Sequence, residues 1–471
     1  MNYELALIEA YKNGVNGRYW QCYKTLNATK TCIPHVPSGK CSPINIEKVF
    51  VQGSCDAVLM AWPLMDSENK RKRDCVADEF CIEGINVNQM SFVDDLIGFD
   101  GSISSANNSC ISSEVFEKKT RLKFKVSKCK VIAMNCKNPE QVELNGQILE
   151  NVDEHVYLGT IISSNGERVA EMNSRMMKAN SVSNEIEQIC KSPELSSIRL
   201  WYVKLLSTAC LDSMLKFGSA LWNVIKLKST EVKLNRIKPN LLKRVLQVPN
   251  ATPSTAIQFE FGINDLILDI LLEKVVLAVK ILQCEGDRIT KQILSAMLEK
   301  NVPGFCSELR EACVILDVSI DDLMQEVNVR ETLKQKIIKI QGAELLKRML
   351  VSSKMDRIIT SGYIYDGKMM KYLTELNFKQ ARAIFMSRYR MWPTKANYPG
   401  RWKGTDCNVC GLKDNDEHIV LCPGYSDIVG EKFDFNVFWD KEILEDTEKL
   451  KVIADVVVIL IERMEKVQNF E

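Results

Sequence analysis

Ser91-Phe-Val-Asp-Asp-Leu-Ile-Gly-Phe99 sets two adjacent carboxylates, Asp94 and Asp95, between two short apolar runs. Such runs read as strands, and folding one back on the other puts both carboxylates at the exposed tip of a tight hairpin. Like charges side by side repel unless a divalent cation lies between them, so Mg²⁺ is their natural partner. Two-metal phosphoryl transfer uses this kind of clamp, with the metals ~4 Å apart. Taken alone, the dipeptide reads more simply as a solvated turn than as a metal site. Asp321-Asp322 is the same dipeptide in a helical, solvent-facing setting and is assigned no chemistry.

Outward from this stretch, Lys130-Val-Ile-Ala-Met134 also reads as a strand, and Val142 to Leu149 alternates apolar and polar residues around Asn145-Gly146. Both residues of that dipeptide tolerate positive φ, which makes it a strong hairpin signal. Residues 1 to about 165 therefore suit a mixed α/β segment. Beyond about 168 the spacing turns helical over 168–192, 194–225, 231–247, 264–285, 288–300 and 321–352, with breaks at Pro193, Pro239, Pro249 with Pro253, and Pro303-Gly304. A stretch from about 393 to 430, rich in Pro, Gly, Cys and Asp, is too irregular for a helix, and an apolar-periodic helix closes the chain. The expected class is α+β.

Length and charge bound what the protein does. With 471 residues the chain has room for two to four domains. Its 62 basic against 61 acidic side chains exclude a uniformly basic nucleic-acid binder and leave local patches to be sought separately. The start has no basic-then-apolar signal pattern. The apolar run Val456–Ile461 is far short of the ~20 residues a spanning helix needs. The chain is thus expected to be intracellular, cytoplasmic or nuclear, without a membrane partner, and most of its 17 cysteines to be reduced and buried.

Four motifs occur in order: Gln52-Gly53, Phe92-Val93-Asp94-Asp95, Leu122-Lys-Phe-Lys-Val-Ser-Lys128 and Tyr157-Leu158-Gly159. This series resembles the palm of reverse transcriptases, most closely the non-long-terminal-repeat (LINE-type) retrotransposon class. Four motifs in sequence are far more specific than any one. The resemblance extends through Phe217-Gly218-Ser219-Ala-Leu-Trp222 and through Thr252-Pro253 to Phe261-Gly262, both like the family's helical thumb, so it covers most of the chain. It implies RNA-directed DNA synthesis with Mg²⁺, deoxynucleotides, an RNA template and a DNA primer. Asp94 and Asp95 would bind Mg²⁺ behind Phe92, Gln52 and Gly53 would shape the nucleotide and template pocket, Lys128 would lie near the incoming nucleotide, and Tyr157, Leu158 and Gly159 would begin the primer grip.

One departure matters. The family's pattern requires another aspartate upstream on an apolar strand, and nothing before Gln52 has that form; Met1 to Val15 resembles the helix that follows that strand. The expectation is a chain that starts after the first catalytic aspartate and does not polymerise alone. The rival expectation is a non-catalytic, repurposed or decayed nucleic-acid-binding protein. The implied organisation is a partial palm at 1–167, a thumb-like region at 168–300, a helical connector at 301–392, a zinc knuckle at 393–430 and a C-terminal helix at 431–471.

Cys407-Asn-Val-Cys410, His418 and Cys422 follow a C-x2-C-x7-H-x3-C spacing. Two thiolates from one tight turn, then a histidine and a cysteine one helical turn apart, suit tetrahedral Zn²⁺ in a closed structural site. Only three histidines occur in the chain, so one landing here by chance is improbable against the alternative of buried thiols beside a surface histidine. His35 and His155 are isolated. Just before this cluster, residues 378–403 carry Lys379, Arg382, Arg388, Arg390, Lys395, Arg401 and Lys403 with no acidic residue, interleaved with rings that include Trp392 and Trp402. Cations for phosphates and flat rings for unstacked bases suit single-stranded nucleic acid, with Lys379, Arg382, Arg388, Arg390, Trp392, Arg401 and Trp402 as contacts. A second patch at 224–247 reads equally well as a solvated helix or as a phosphate-binding surface.

Overall fold

The structure, a computed structural model, describes residues 3–27, 30–33, 35–37, 39–46, 80–93, 95–120, 122–136, 141–225, 228–352, 355, 358, 361–429 and 434–468. It is mixed, about 58% helical, with small two-stranded sheets. Two compact units divide it: residues 1–171 with 286–299, and residues 172–285 with 300–471. The segment 286–299, grouped by sequence with a thumb-like region, thus belongs with the first unit. The stretches 301–392, 393–430 and 431–471 share the second.

In the first unit the Asp-Asp stretch is a hairpin of Gln89–Phe92 and Asp95–Gly98, with Phe92 paired to Asp95 across a two-residue turn. Val93 in that turn has φ 57°, a conformation a β-branched residue adopts only under strain. Asn145 and Gly146 have φ 56° and 70° and join Glu143–Leu144 to Gln147–Ile148, as the dipeptide predicts. Leu158-Gly159 turns Glu154–Tyr157 into Thr160–Ser163 in the same way. Val142, Leu144 and Leu149 form a small core against Ile103, Ala106, Phe124, Val126 and Val131.

Helix Ile103–Thr120 has no apolar stripe and escaped the periodicity reading. It buries serines instead: Ser105 and Ser109 donate to Asp100 at 2.9 and 2.8 Å, and Ser113 donates to the carbonyl four residues back. Strand Lys130–Val131 is shorter than expected and pairs in parallel with Glu150–Asn151. The described strands form seven separate two-stranded sheets, so a continuous palm sheet is not among the described residues.

The second unit is organised by Leu266–Leu282, a helix apolar on nearly all sides and correspondingly buried. It packs against Lys228–Leu246, Phe305–Ile315 and Val329–Leu350. Its one deeply buried cation, Lys274, is satisfied by Glu308 at 2.8 Å. Asp265 at its start accepts from Gln258 at 2.6 Å and from Arg348 at 2.9 Å, while its backbone N–H donates to Gln341 at 3.0 Å. Pro239, a predicted break, instead lies inside Lys228–Leu246, where buried Ile237, Leu241 and Leu242 hold the helix to the core. The expected helix over 194–225 is broken into Arg199–Leu206, a π-helical turn at Ser207–Asp212, Ser213–Lys216 and a short turn at Ser219–Leu221. Helix Phe378–Arg388 starts from a capping box between Asn377 and Gln380 and packs on Thr447–Gln468. Among the described residues, no helix is long and apolar enough to cross a membrane.

Helix Ser254–Phe261 ends at Gly262, whose φ of 57° places a Cβ 2.3 Å from the carbonyl carbon of Lys368. Gly262→Ala therefore adds left-handed strain to a backbone clash and should destabilise the second unit by about 2–5 kcal/mol in denaturant unfolding. Gly101→Ala, where nothing lies within 4 Å of the added carbon, should be near neutral in the same measurement.

Candidate functional site

The Cys/His cluster is assembled by three local devices. Cys407 donates its backbone N–H to Leu412 at 2.7 Å, and Gly411, at φ 74°, donates to Cys407 at 3.0 Å, closing a turn that brings Cys410 back beside Cys407. The backbone N–H of Val409 points at the Cys407 sulfur at 3.4 Å. Asn415 caps helix Asp416–Leu421 through the His418 N–H at 2.8 Å, and the helix ends at Cys422, so His418 and Cys422 project one turn apart. Val409 lies against Gly424, where a Cβ would stand 2.8 Å from its methyl group.

The four ligand atoms lie within 4.8 Å of one another. Cys422 Sγ is 3.8 Å from both Cys407 Sγ and Cys410 Sγ, and Cys410 Sγ is 3.2 Å from His418 Nε2. With Zn–S bonds of about 2.3 Å, a tetrahedron has S···S edges of about 3.8 Å, so the donor set fits a zinc ion in spacing as well as chemistry. Burial, then the neighbouring thiols Cys407 and Cys410, push the Cys422 thiol up to about 12. The metal would have to displace those protons and would then replace a crowd of buried thiols with four bonds. Four protein ligands would leave no open position on a bound ion, which is the arrangement of a structural rather than a catalytic site.

The basic and aromatic segment before the cluster is mostly core. Arg388 and Trp392, expected at a nucleic-acid surface, are each 1% exposed. A guanidinium with no acidic neighbour in sequence has one in space: Arg388 Nε donates to Glu260 at 2.9 Å and Nη1 to the Phe438 carbonyl at 2.6 Å, with the plane 4.0 Å from the Trp439 ring centroid. Tyr389 also donates to Glu260, at 2.7 Å. Trp392 donates its indole N–H to Ser387 at 2.8 Å.

Lys395 is buried and donates to the Lys403 carbonyl and to Asn408. Lys379 is exposed and paired with Glu462 at 3.1 Å, and Arg382 donates to the Gln247 carbonyl at 3.0 Å. Arg390 follows helix Phe378–Arg388 at φ 48° and is half-buried. After Tyr398 the basic side chains reach solvent: Arg401 is exposed and stacks over Trp402 and Tyr398 at 4.6 and 5.6 Å, and Lys403 and Lys413 are exposed nearby in sequence. In the earlier patch, Lys238 pairs with Asp212, Lys243 reaches the Asn250 carbonyl and Ser254, and Arg244 pairs with Glu187; among its described side chains Lys233 and Arg236 are exposed.

Asp94, Gln52 and Gly53 lie outside the described residues. Asp95 and Phe92 face solvent on their hairpin, Phe92 at 60% exposure. Tyr157 is half-buried, and its phenol is held above its ordinary range by burial first and by the Asp95 charge second. Leu158 and Gly159 form the exposed turn beside it. Lys128 is exposed at the end of a short helical turn, Val126–Lys128. Glu260, Asp414, Asn415 and Gln468 organise this region and were missed by sequence reasoning. Only Asn415, placed three residues before His418, carried a recognisable signal, that of a helix cap. The chain matches no protein-family model and no curated protein.

Purified protein should hold one zinc per chain by elemental analysis, and Cys410→Ser should lower that ratio towards zero. Breaking the buried ion pair with Arg388→Met should cost about 3–5 kcal/mol in denaturant unfolding, because it strands the Glu260 carboxylate. Replacing both partners by methionine should cost less than Arg388→Met alone.

Proposed function

We propose that this chain is a nucleic-acid-binding protein derived from a reverse transcriptase of the non-long-terminal-repeat type, with a zinc-organised C-terminal segment that holds single-stranded nucleic acid. The observation that carries this reading is the clustered Cys407, Cys410, His418 and Cys422 set that follows the exposed Arg401, stacked over half-buried Trp402 and Tyr398. A guanidinium resting on rings offers charge to a phosphate and a flat face to an unpaired base at one place. The metal keeps the adjoining loop in one shape, so this surface need not be ordered at the moment of binding.

The ordered motifs Phe92-Val93-Asp94-Asp95, Leu122 to Lys128 and Tyr157-Leu158-Gly159 support a second reading, in which the chain keeps polymerase chemistry through Asp94 and Asp95 with Mg²⁺, deoxynucleotides and a primed RNA template. Against it stands the sequence before Gln52, which offers no further apolar-strand aspartate to complete a two-metal clamp. The 471 residues alone should therefore not extend a primer. Extension that disappears in Asp94→Ala would establish the second reading.

Binding of labelled single-stranded RNA to the full chain, followed by fluorescence anisotropy across a salt series, tests the first. With Arg401, Lys403 and Lys413 on phosphates, log affinity should fall against log salt with a slope near ~−2, taking ~0.7 per contact. Arg401→Ala should flatten the slope by about one contact, and Trp402→Ala should cost ~1–3 kcal/mol with the slope retained. Affinity unchanged in both variants would dismiss this surface.

A further inference from the structure

We propose that the last turn of helix Thr447–Gln468 belongs to the metal centre: Gln468, acting through Asp414, positions the turn between Cys410 and His418, so that metal binding and docking of this helix are one linked equilibrium. The inference rests on the zinc reading of the cluster and goes beyond it, assigning positioning residues that bind no metal themselves.

Asp414 lies between the second and third ligands and is 1% exposed. Its Oδ2 accepts from Gln468 Nε2 at 2.6 Å and from the Lys395 backbone N–H at 2.8 Å. Its own backbone N–H donates to Thr405 and its carbonyl accepts from Ala396, both at 3.0 Å. The residue thus pins the turn to the chain on both sides of it. Asn415, the next residue, caps the helix that carries His418, so a displacement of Asp414 moves the histidine.

Gln468 is equally buried, 54 residues further along. The same helix end reaches the loop twice more. Asn408, between Cys407 and Cys410, donates to the Val467 carbonyl at 3.4 Å. Arg463 grips both oxygens of Asp427, beyond Cys422, at 2.6 and 2.7 Å. A buried carboxylate is tolerated only while donors satisfy it. Withdrawing the Gln468 amide leaves Asp414 Oδ2 with the Lys395 N–H and loosens the turn, and residues that hold ligands in place in this way typically change metal affinity by about 10–100-fold. Linkage makes the effect reciprocal: whatever the docked helix adds to metal affinity, the metal adds to helix docking.

The test uses the full chain. Gln468→Met keeps the side-chain volume and removes the donor. Against a chromophoric chelator it should bind zinc at least about tenfold more weakly than wild type, while Lys466→Ala, exposed on the same turn, should bind as wild type does. In wild type, zinc should slow amide hydrogen exchange over 455–468, and in Gln468→Met this protection should be lost. Asp414→Asn, which keeps an acceptor oxygen, should retain most of the affinity that Asp414→Ala loses; simple misfolding would not separate those two. Wild-type zinc affinity in Gln468→Met, or exchange over 455–468 that is indifferent to zinc, would overturn the inference and leave the metal site standing. A wild-type chain that takes up no zinc would overturn both.

Discussion

Four ligand atoms held within 4.8 Å of one another are the constraint on which the C-terminal part of this chain depends. Between Pro393 and Val429 the regular structure amounts to one six-residue helix and one four-residue helix. The buried apolar side chains there, such as Ile419, Tyr425 and Val429, are few. So little core cannot offset the entropy of ordering nearly forty residues. Coordinate bonds to a zinc ion would, because in such a segment the free energy of metal binding is free energy of folding. The turn at Gly411, the Asn415 cap and the approach of Val409 to Gly424 are local preparations for that bond set rather than substitutes for it.

Upstream, the organising interaction is the ion pair of Glu260 and Arg388, both side chains shut off from water. A buried charge without a partner costs several kcal/mol, so the pair, the Tyr389 hydroxyl and the Phe438 carbonyl stand or fall together. This arrangement turns a segment that looks like a nucleic-acid-binding strip into the inner face of a helix. The basic side chains of 378–403 divide by depth: those on Phe378–Arg388 serve packing and ion pairing, and those after Tyr398 remain available to solvent. A charge run reads as surface only when its counter-charges are also local, and here the counter-charge lies 128 residues away.

That distance also explains what was legible beforehand. The metal cluster and the Asn145-Gly146 hairpin could be read because their determinants are short-range: ligand spacing in one case, positive-φ tolerance in the other. Helix Leu266–Leu282 could be read because its hydrophobic run is long. Helix Ile103–Thr120 could not, since it buries hydroxyls that donate to Asp100 and to carbonyls of the helix itself and shows no apolar period. Nor could the roles of Arg388, Trp392, Asp414 and Gln468, whose partners are set by tertiary packing. The Asp95 hairpin and the Tyr157 turn, which the family resemblance places in one site, lie among the described residues on separate two-stranded sheets.

The central claim is that a bound zinc ion, held by Cys407, Cys410, His418 and Cys422, shapes the C-terminal segment. Zinc-edge X-ray absorption on the purified full chain measures this directly. The account predicts a first shell of three sulfurs at about 2.3 Å and one nitrogen at about 2.0–2.1 Å, with no oxygen ligand. A shell dominated by oxygen, or a sulfur count unchanged by Cys422→Ser, would contradict it.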